Sequence, residues 1–248
     1  MHKKILIVGG SSGLGRRLAE IYAAEGCSVG IIARREYLLK EIQLASSAPI
    51  FITASDINAT DIEAKITAVI ELMDGIDVCI ITASIVEFNH DLAIAAELRT
   101  IETNVTGFTK VFNTVWHYFK QKGSGHIAAA TSIAAARGNK IAPAYHASKS
   151  FQSMYLESIR VKNSFEKNNI AITELVPGYM DTAMGKGDRL FWMSTLDKAA
   201  RQAKKAINNK KKRAFITKRW WLVFHLYRLL PSFIYTRLVN SKISLQKK

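Results

Sequence analysis

A chain of 248 residues with 48% hydrophobic and 22% charged residues is neither disordered nor fibrous, and it is long enough for one large domain with a sizeable core. Two cysteines, Cys27 and Cys79, both in apolar runs, exclude a disulfide framework and fit a reduced, cytoplasmic setting. The net charge of +15 is uneven: from Asp197 onward there are 15 Lys or Arg against one acid, while residues 1–196 hold 20 basic and 19 acidic residues, which points to an anionic partner for the C-terminal fifth or to a solvated helix face with a frayed tail.

The first predicted strand, KILIV (4–8), follows a basic start too poor in apolar residues for a signal peptide. It runs into GGSSGLG, with Gly9, Gly13 and Gly15 spaced as GxxxGxG. Glycines there let the backbone turn tightly and approach a pyrophosphate, which would rest on the N-terminal NH groups of the helix predicted over 13–25. Ser11, Ser12 and Leu14 lie in the same turn. The letters also satisfy the GxSxG hydrolase elbow, but that device needs earlier strands for its oxyanion hole, and one strand precedes this turn.

SVGIIA (28–33) is the second predicted strand, ending in IIARRE. A fold that prefers NAD(H) places an acid there for the ribose 2′-OH; Arg34 and Arg35 instead suit a 2′-phosphate, which favours NADP(H) over NAD(H). Helix 36–46, strand 49–54, helix 59–73, strand 77–82 and a long helix over 91–121 follow. Strand 126–131 precedes a helix over 143–168, then come strands 170–176 and 214–217. This alternation predicts an α/β domain, a doubly wound parallel sheet of the Rossmann type, over residues 1–218, with ligands beyond the carboxyl ends of the strands. Within the last helix of that series, YHASK sets Tyr145 and Lys149 four apart, on one face. A neighbouring ammonium lowers the pKa of a phenol toward the working range of a general acid or base. Ser132 ends the AAATS strand, and Asn104 stands earlier in ETNVTG. His146 reads as a satisfied or surface residue, and no metal site is assigned.

In this order and spacing the motifs resemble the short-chain dehydrogenase/reductase family over nearly all of residues 3–182. Besides the glycine turn and the residues just named, the resemblance rests on SDI (55–57) and PGYMDT (177–182). It implies an NAD(P)-dependent oxidoreductase acting on a carbonyl or alcohol. It implies Tyr145 as general acid/base, Ser132 on the substrate oxygen, Lys149 on the nicotinamide ribose, and Asn104 keeping a water that links Lys149 to solvent. It also implies Asp56 and Ile57 beside the adenine, Thr182 at the nicotinamide amide, and Ala83, Pro177 and Gly178 lining the cofactor. Asp56 could equally cap a helix and Thr182 be a loop hydroxyl. Two departures stand out: Val8 replaces a threonine, and ITAS (Ile81 to Ser84) replaces the usual NNAG. The latter raises the alternative of a non-enzymatic NADP(H)-binding scaffold.

Substrate identity is expected to reside in AMGKGDRLFWMSTL (183–196) and the C-terminus. The first stretch suits a mobile flap over an apolar substrate or packs on the core. Residues 198–219 hold ten basic residues and no acid, and KRWWLVFHLYRLLPSFIY (218–235) follows. A helix over 219–230 is expected to stop at Pro231, with Ser232 opening a second. Residues 219–248 thus form an amphipathic extension whose apolar run, broken by Arg228 and Pro231, is too short to span a bilayer. Trp, aliphatic and basic residues together predict docking on an anionic membrane surface through 198–239, at about 1 kcal/mol per basic residue, with a lipid-derived or otherwise hydrophobic carbonyl as substrate. The alternative is a soluble homo-oligomer that buries the arm and reduces small carbonyl compounds. No motif for nucleic acid accompanies the lysines.

Overall fold

The computed structural model describes residues 3–181 and 192–244, with side chains to residue 240. Thr182, Leu190 and Phe191 lie outside the described residues. Seven strands, β1 (Lys4–Val8), β2 (Ser28–Ala33), β3 (Ile50–Ala54), β4 (Val78–Ile81), β5 (Gly125–Ala130), β6 (Ile170–Pro177) and β7 (Arg213–Ile216), form one sheet in the order β3-β2-β1-β4-β5-β6-β7. Every pairing is parallel. The order reverses between β1 and β4, which opens a crevice above their carboxyl ends.

Strands covered on both faces read as unbroken apolar runs, and β1 shows why. Ile5 and Ile7 face a cluster with α1 (Gly13–Ala24), α2 (Glu36–Leu44) and α7 (Leu196–Asn208). Leu6 and Val8 face another with α3 (Ile62–Leu72), α5 (Phe108–Lys122) and α6 (Pro143–Phe165). Each such fully buried side chain contributes about 1.5–3 kcal/mol.

Two elements differ from expectation. The long helix predicted over 91–121 is α4 (Ile94–Ile101), a π-helical stretch Glu102–Gly107, and α5. The wider π turn holds Asn104 fully buried. A Cβ on Gly107 would stand 2.7 Å from Asn58 Oδ1. The basic segment after residue 196, expected as part of a docking arm, begins instead with α7. Its Ala199, Ala200, Ala203, Ala206 and Ile207 are buried on the sheet, and Thr195 accepts from Lys198 N at its start. Part of its charge is matched: Arg201 and Arg17 both reach Asp197, and Lys204 reaches Glu25. Beyond β7, α8 (Trp220–Leu229) and α9 (Ser232–Ser244) close the chain. No described helix is long and apolar enough to cross a membrane.

Candidate active site

A cavity of about 940 Å³ lies at the switch point, lined by the glycine turn, the ends of β2, β4, β5 and β6, the first turns of α6, and residues of α8 and α9. Its cofactor half follows from sequence. Gly9 has φ +100°, and a Cβ there would lie 2.3 Å from Ala83 N; only glycine lets the turn pass so close to the β4 loop. A Cβ on Gly15 would meet Thr82 Oγ1 at 2.4 Å, and that hydroxyl donates to Gly9 O at 3.2 Å. Ser12, the N-cap of α1, makes no side-chain capping bond, so NH groups at the helix start face the cavity without a side-chain acceptor. Arg35 donates to Ser12 Oγ at 2.7 Å and to Ser11 Oγ at 3.1 Å. Arg34 sits 3.6 Å from Asp56, whose other oxygen accepts from Asn58 N at 2.9 Å, so Asp56 also serves as a turn cap. An open helix start beside two guanidinium groups fits a phosphate-bearing dinucleotide. Leu14, Ile57, Ala83, Pro177 and Gly178 line the same half.

The reacting end is built on β5 and α6. Ser132 follows β5 in extended conformation, and its hydroxyl accepts from Ala134 N at 3.1 Å. Pro143 at the start of α6 presets the first turn, from which Tyr145 and Lys149 face the cavity. The Tyr145 phenol stands above its ordinary pKa: burial raises it, a hydrogen bond with Ser132 lowers it, and Tyr179 raises it further. Burial pushes Lys149 down to about 7. The ammonium expected to depress the phenol is thus itself close to losing its charge, and its Nζ stands 5.8 Å from the ring centroid. The phenol accordingly keeps its proton at neutral pH.

Asn104 does not line the cavity. Its side chain exchanges bonds with Ile85, Oδ1 accepting from N at 2.9 Å and Nδ2 donating to O at 2.8 Å, and it meets Ser84 and Ser148 at 3.0 and 3.1 Å. Its main-chain oxygen accepts from Gln152 Nε2 at 2.8 Å, while Gln152 Oε1 accepts from Lys149 Nζ at 2.9 Å. Sequence reasoning missed Gln152, although a polar residue three positions after Lys149 on a buried helix face was a readable signal. His146 is satisfied, its Nδ1 bonded to Arg137 O at 2.7 Å. The ITAS departure is absorbed: Ile81 is 1% exposed in the core, and Ser84 bonds Asn104 Oδ1. Among the described residues no cluster of three His, Cys, Asp or Glu could hold a metal.

The remaining wall comes from the C-terminal arm, which sequence reading had turned outward. Phe224 and Trp220 are buried, and Val223, Tyr227, Tyr235 and Val239 line the cavity. The Trp220 indole lies where a Cβ on Gly178 would be, 2.0 Å from Nε1, and edge-on to Tyr179 at 5.5 Å. Arg137, just beyond the Ser132 turn, fastens the arm. Its Nη1 donates to Tyr227 O and Leu230 O at 3.0 and 2.6 Å, its Nη2 to Ser232 Oγ at 3.2 Å, and it lies 4.6 Å over the Tyr235 ring. Tyr235 returns a bond to Gly138 O at 2.7 Å.

The family described as short chain dehydrogenase matches residues 3–192. An uncharacterized oxidoreductase of Mycobacterium tuberculosis is 34% identical over 191 residues, covering 73% of this chain and 75% of its own length. The NADPH-dependent 3-quinuclidinone reductase of Rhodotorula rubra is similar in structure, with TM-score 0.75 at 22% identity over 86% of this chain and 89% of that one. The actinorhodin polyketide ketoreductase, solved with NADPH, is similar with TM-score 0.68 at 26% identity, over 74% of this chain and 72% of that one.

Proposed function

The chain belongs to the short-chain dehydrogenase family and is an oxidoreductase, and on that premise we propose that it is an NADP(H)-dependent reductase of a hydrophobic carbonyl compound. Ser132, Tyr145 and Lys149 line one cavity together with Val223, Phe224, Tyr227, Tyr235 and Val239. That apolar wall, in the same cavity as the reacting groups, carries the reading. Arg34 and Arg35 at the end of β2 favour a 2′-phosphate. The ketoreductase solved with NADPH is consistent with that choice.

The glycine turn and the ends of β2 and β4 would hold a reduced nicotinamide dinucleotide, which when bound would supply hydride for a carbonyl carbon. Ser132 and Tyr145 hold the carbonyl oxygen, Ser132 by donating a hydrogen bond that strengthens as negative charge develops there. Tyr145 then gives its proton to that oxygen, completing the alcohol. A phenol kept protonated by burial is poised as a proton donor, the role that carbonyl reduction asks of it. Lys149 restores the phenol through its own proton. Thr182, outside the described residues, is proposed at the nicotinamide amide by family resemblance alone. Family membership and a complete set of reacting side chains argue against a non-enzymatic scaffold.

The test is oxidation of NADPH and NADH against cyclic, aromatic and long-chain ketones and small aldehydes. NADPH should be used at least tenfold better than NADH, with Arg35→Ser erasing most of that preference, and the bulky ketones should be turned over best. Equal use of NADH, or turnover of small aldehydes alone, would refute the proposal.

A second reading follows from the arm's outer surface. Trp221, Leu222, Leu226, Leu229 and Phe233 are exposed, Leu229 at 81%, in a segment carrying Lys218, Arg219, Arg228 and Arg237 and no acid. We propose that this face docks peripherally on an anionic membrane, from the cytoplasmic side, so that substrate enters from lipid. Apolar side chains exposed on α4 and α6, among them Leu98, Met154 and Phe165, suit contact with a second copy of the chain and make a homo-oligomer part of the proposal. Co-sedimentation with anionic vesicles, lost in high salt and in Trp221→Ser/Leu229→Ser, is expected. Loss of self-association in that variant with no vesicle binding by the native protein would assign the outer face to the oligomer.

A further inference from the structure

We propose that Gln152 is a positioning residue for the catalytic lysine, its amide bridging Lys149 to the main chain at Asn104 and standing where the family resemblance implied a water. The inference rests on the reading of Lys149 given above. It goes beyond that reading because the resemblance implies no role for residue 152.

Geometry carries it. Lys149 and Gln152 are three apart on α6, on the face that is 2% and 1% exposed. An ammonium has three N–H donors. Lys149 commits one to Gln152 Oε1 at 2.9 Å and one to Ala130 O at 3.2 Å, leaving the third for the cavity it lines. The amide can point only one way, since the ammonium requires the oxygen and the carbonyl of Asn104 requires the NH₂. Asn104 is itself immobilised by bonds to Ile85, Ser84 and Ser148. The reacting amine is therefore tied through Gln152 to Asn104, and through the Asn104 side chain to the loop that follows β4 and faces the cofactor cradle. The water expected on Asn104 has its place taken by a fixed group.

The bridge also bears on the charge of Lys149. Of the titratable groups around it, Tyr145 on the same helix is neutral at working pH. Glu174 on β6 is taken up by Arg213 at 2.6 Å, Arg160 at 3.7 Å and Thr131 at 3.1 Å. Among the described residues no carboxylate is bonded to the ammonium. Neutral oxygens from Gln152 and Ala130 are what favour its charged form, against burial that disfavours it. Removing Oε1 should let the proton leave at lower pH, and replacing the amide by a carboxylate should hold it to higher pH.

The experiment follows Lys149 directly, with no substrate or cofactor. In the full chain labelled with ¹³C-lysine, the Lys149 Cε signal is assigned by its loss in Lys149→Arg and titrated in native protein, Gln152→Leu and Gln152→Glu. A hydrogen bond to a charged group implies a midpoint lowered by about one to two pH units in Gln152→Leu and raised in Gln152→Glu. Gln152→Met fills the same space if the leucine variant fails to fold. Midpoints that coincide, or that move in the same direction in both variants, overturn the proposal. The alkaline limb of ketone reduction should follow the same opposed shifts. Opposed shifts by resonance with no turnover of any carbonyl compound by native protein would leave the Gln152 assignment standing and refute the proposed function instead.

Discussion

Replacing Arg137 with methionine, which keeps most of the stem and removes the guanidinium, should loosen the arm without unfolding the domain. Its two bonds to carbonyl oxygens at the end of α8, 3.0 and 2.6 Å long, are charge-assisted and meet the negative end of the helix dipole. At a half-buried position each is worth about 1 kcal/mol. The longer bond to Ser232 and the stacking over Tyr235 add about 0.5 kcal/mol apiece. Local opening of α8 and α9 should therefore become easier by about 3 kcal/mol, or about 100-fold. Hydrogen exchange read by mass spectrometry checks this: amides in 220–240 should lose protection by roughly that factor, while β1 and α1 stay unchanged. Unchanged exchange in 220–240 would refute the clasp and leave the arm held by its other contacts, Trp220, Phe224 and the Tyr235 bond to Gly138 among them. A uniform loss across the chain would make Arg137 a general stabiliser instead.

Tyr145→Phe should abolish ketone reduction while NADPH affinity, measured by cofactor fluorescence, stays within about threefold; retained turnover would remove Tyr145 from the mechanism. Lys149→Met should make the cofactor-free protein more stable. A lysine held at about 7 in the fold and near 10.4 unfolded binds fewer protons when folded between those values, so native stability rises with pH across that window and the full cost of burial is felt below it. The variant should gain about 5 kcal/mol below pH 7 and converge with native protein above pH 10, as read by urea unfolding at several pH values. Gly178→Ala should push the Trp220 indole from its seat, since the new methyl would stand 2.0 Å from Nε1. A red-shifted tryptophan emission with weaker NADPH binding is expected, and an unshifted spectrum would count against that packing.

What the sequence made legible was local. The glycine turn and YHASK are fixed spacings within one turn or one helix, and Ser11, Ser12, Leu14, Tyr145 and Lys149 from them line the cavity. Asn104 was legible as a member of the site, but the π turn that carries it inward leaves no mark in the letters, and its side chain proves to tie the β4 loop together. The missed elements depend on distant partners. Arg137 is ordinary until α8 arrives, 90 residues later, with its last carbonyls unpaired. Helix α7 was hidden for a different reason: ten basic residues in 198–219 drew attention from the alanines between them. Those small side chains, spaced to one face, are what lets α7 lie flat on the sheet beside α1.

The same dependence on context explains the tryptophans. A surface helix has one apolar stripe, yet α8 is apolar on two sides. Trp220 and Phe224, four apart, turn inward against Gly178 and Phe215. Trp221, Leu222, Leu226 and Leu229 turn outward and remain exposed. Folding of the described chain accounts for the first set alone, because closing the substrate cavity needs no apolar residue on the far side. Water does not reward the second set, and α9 repeats the pattern, with Tyr235 and Val239 inside and Phe233 at 76% exposure. A two-sided arm is what a protein requires if the wall of its substrate site is also the face it presents to an apolar phase. On the docking proposed above, the basic residues of the arm would select the charge of that phase, and the cavity behind it would receive molecules that partition there.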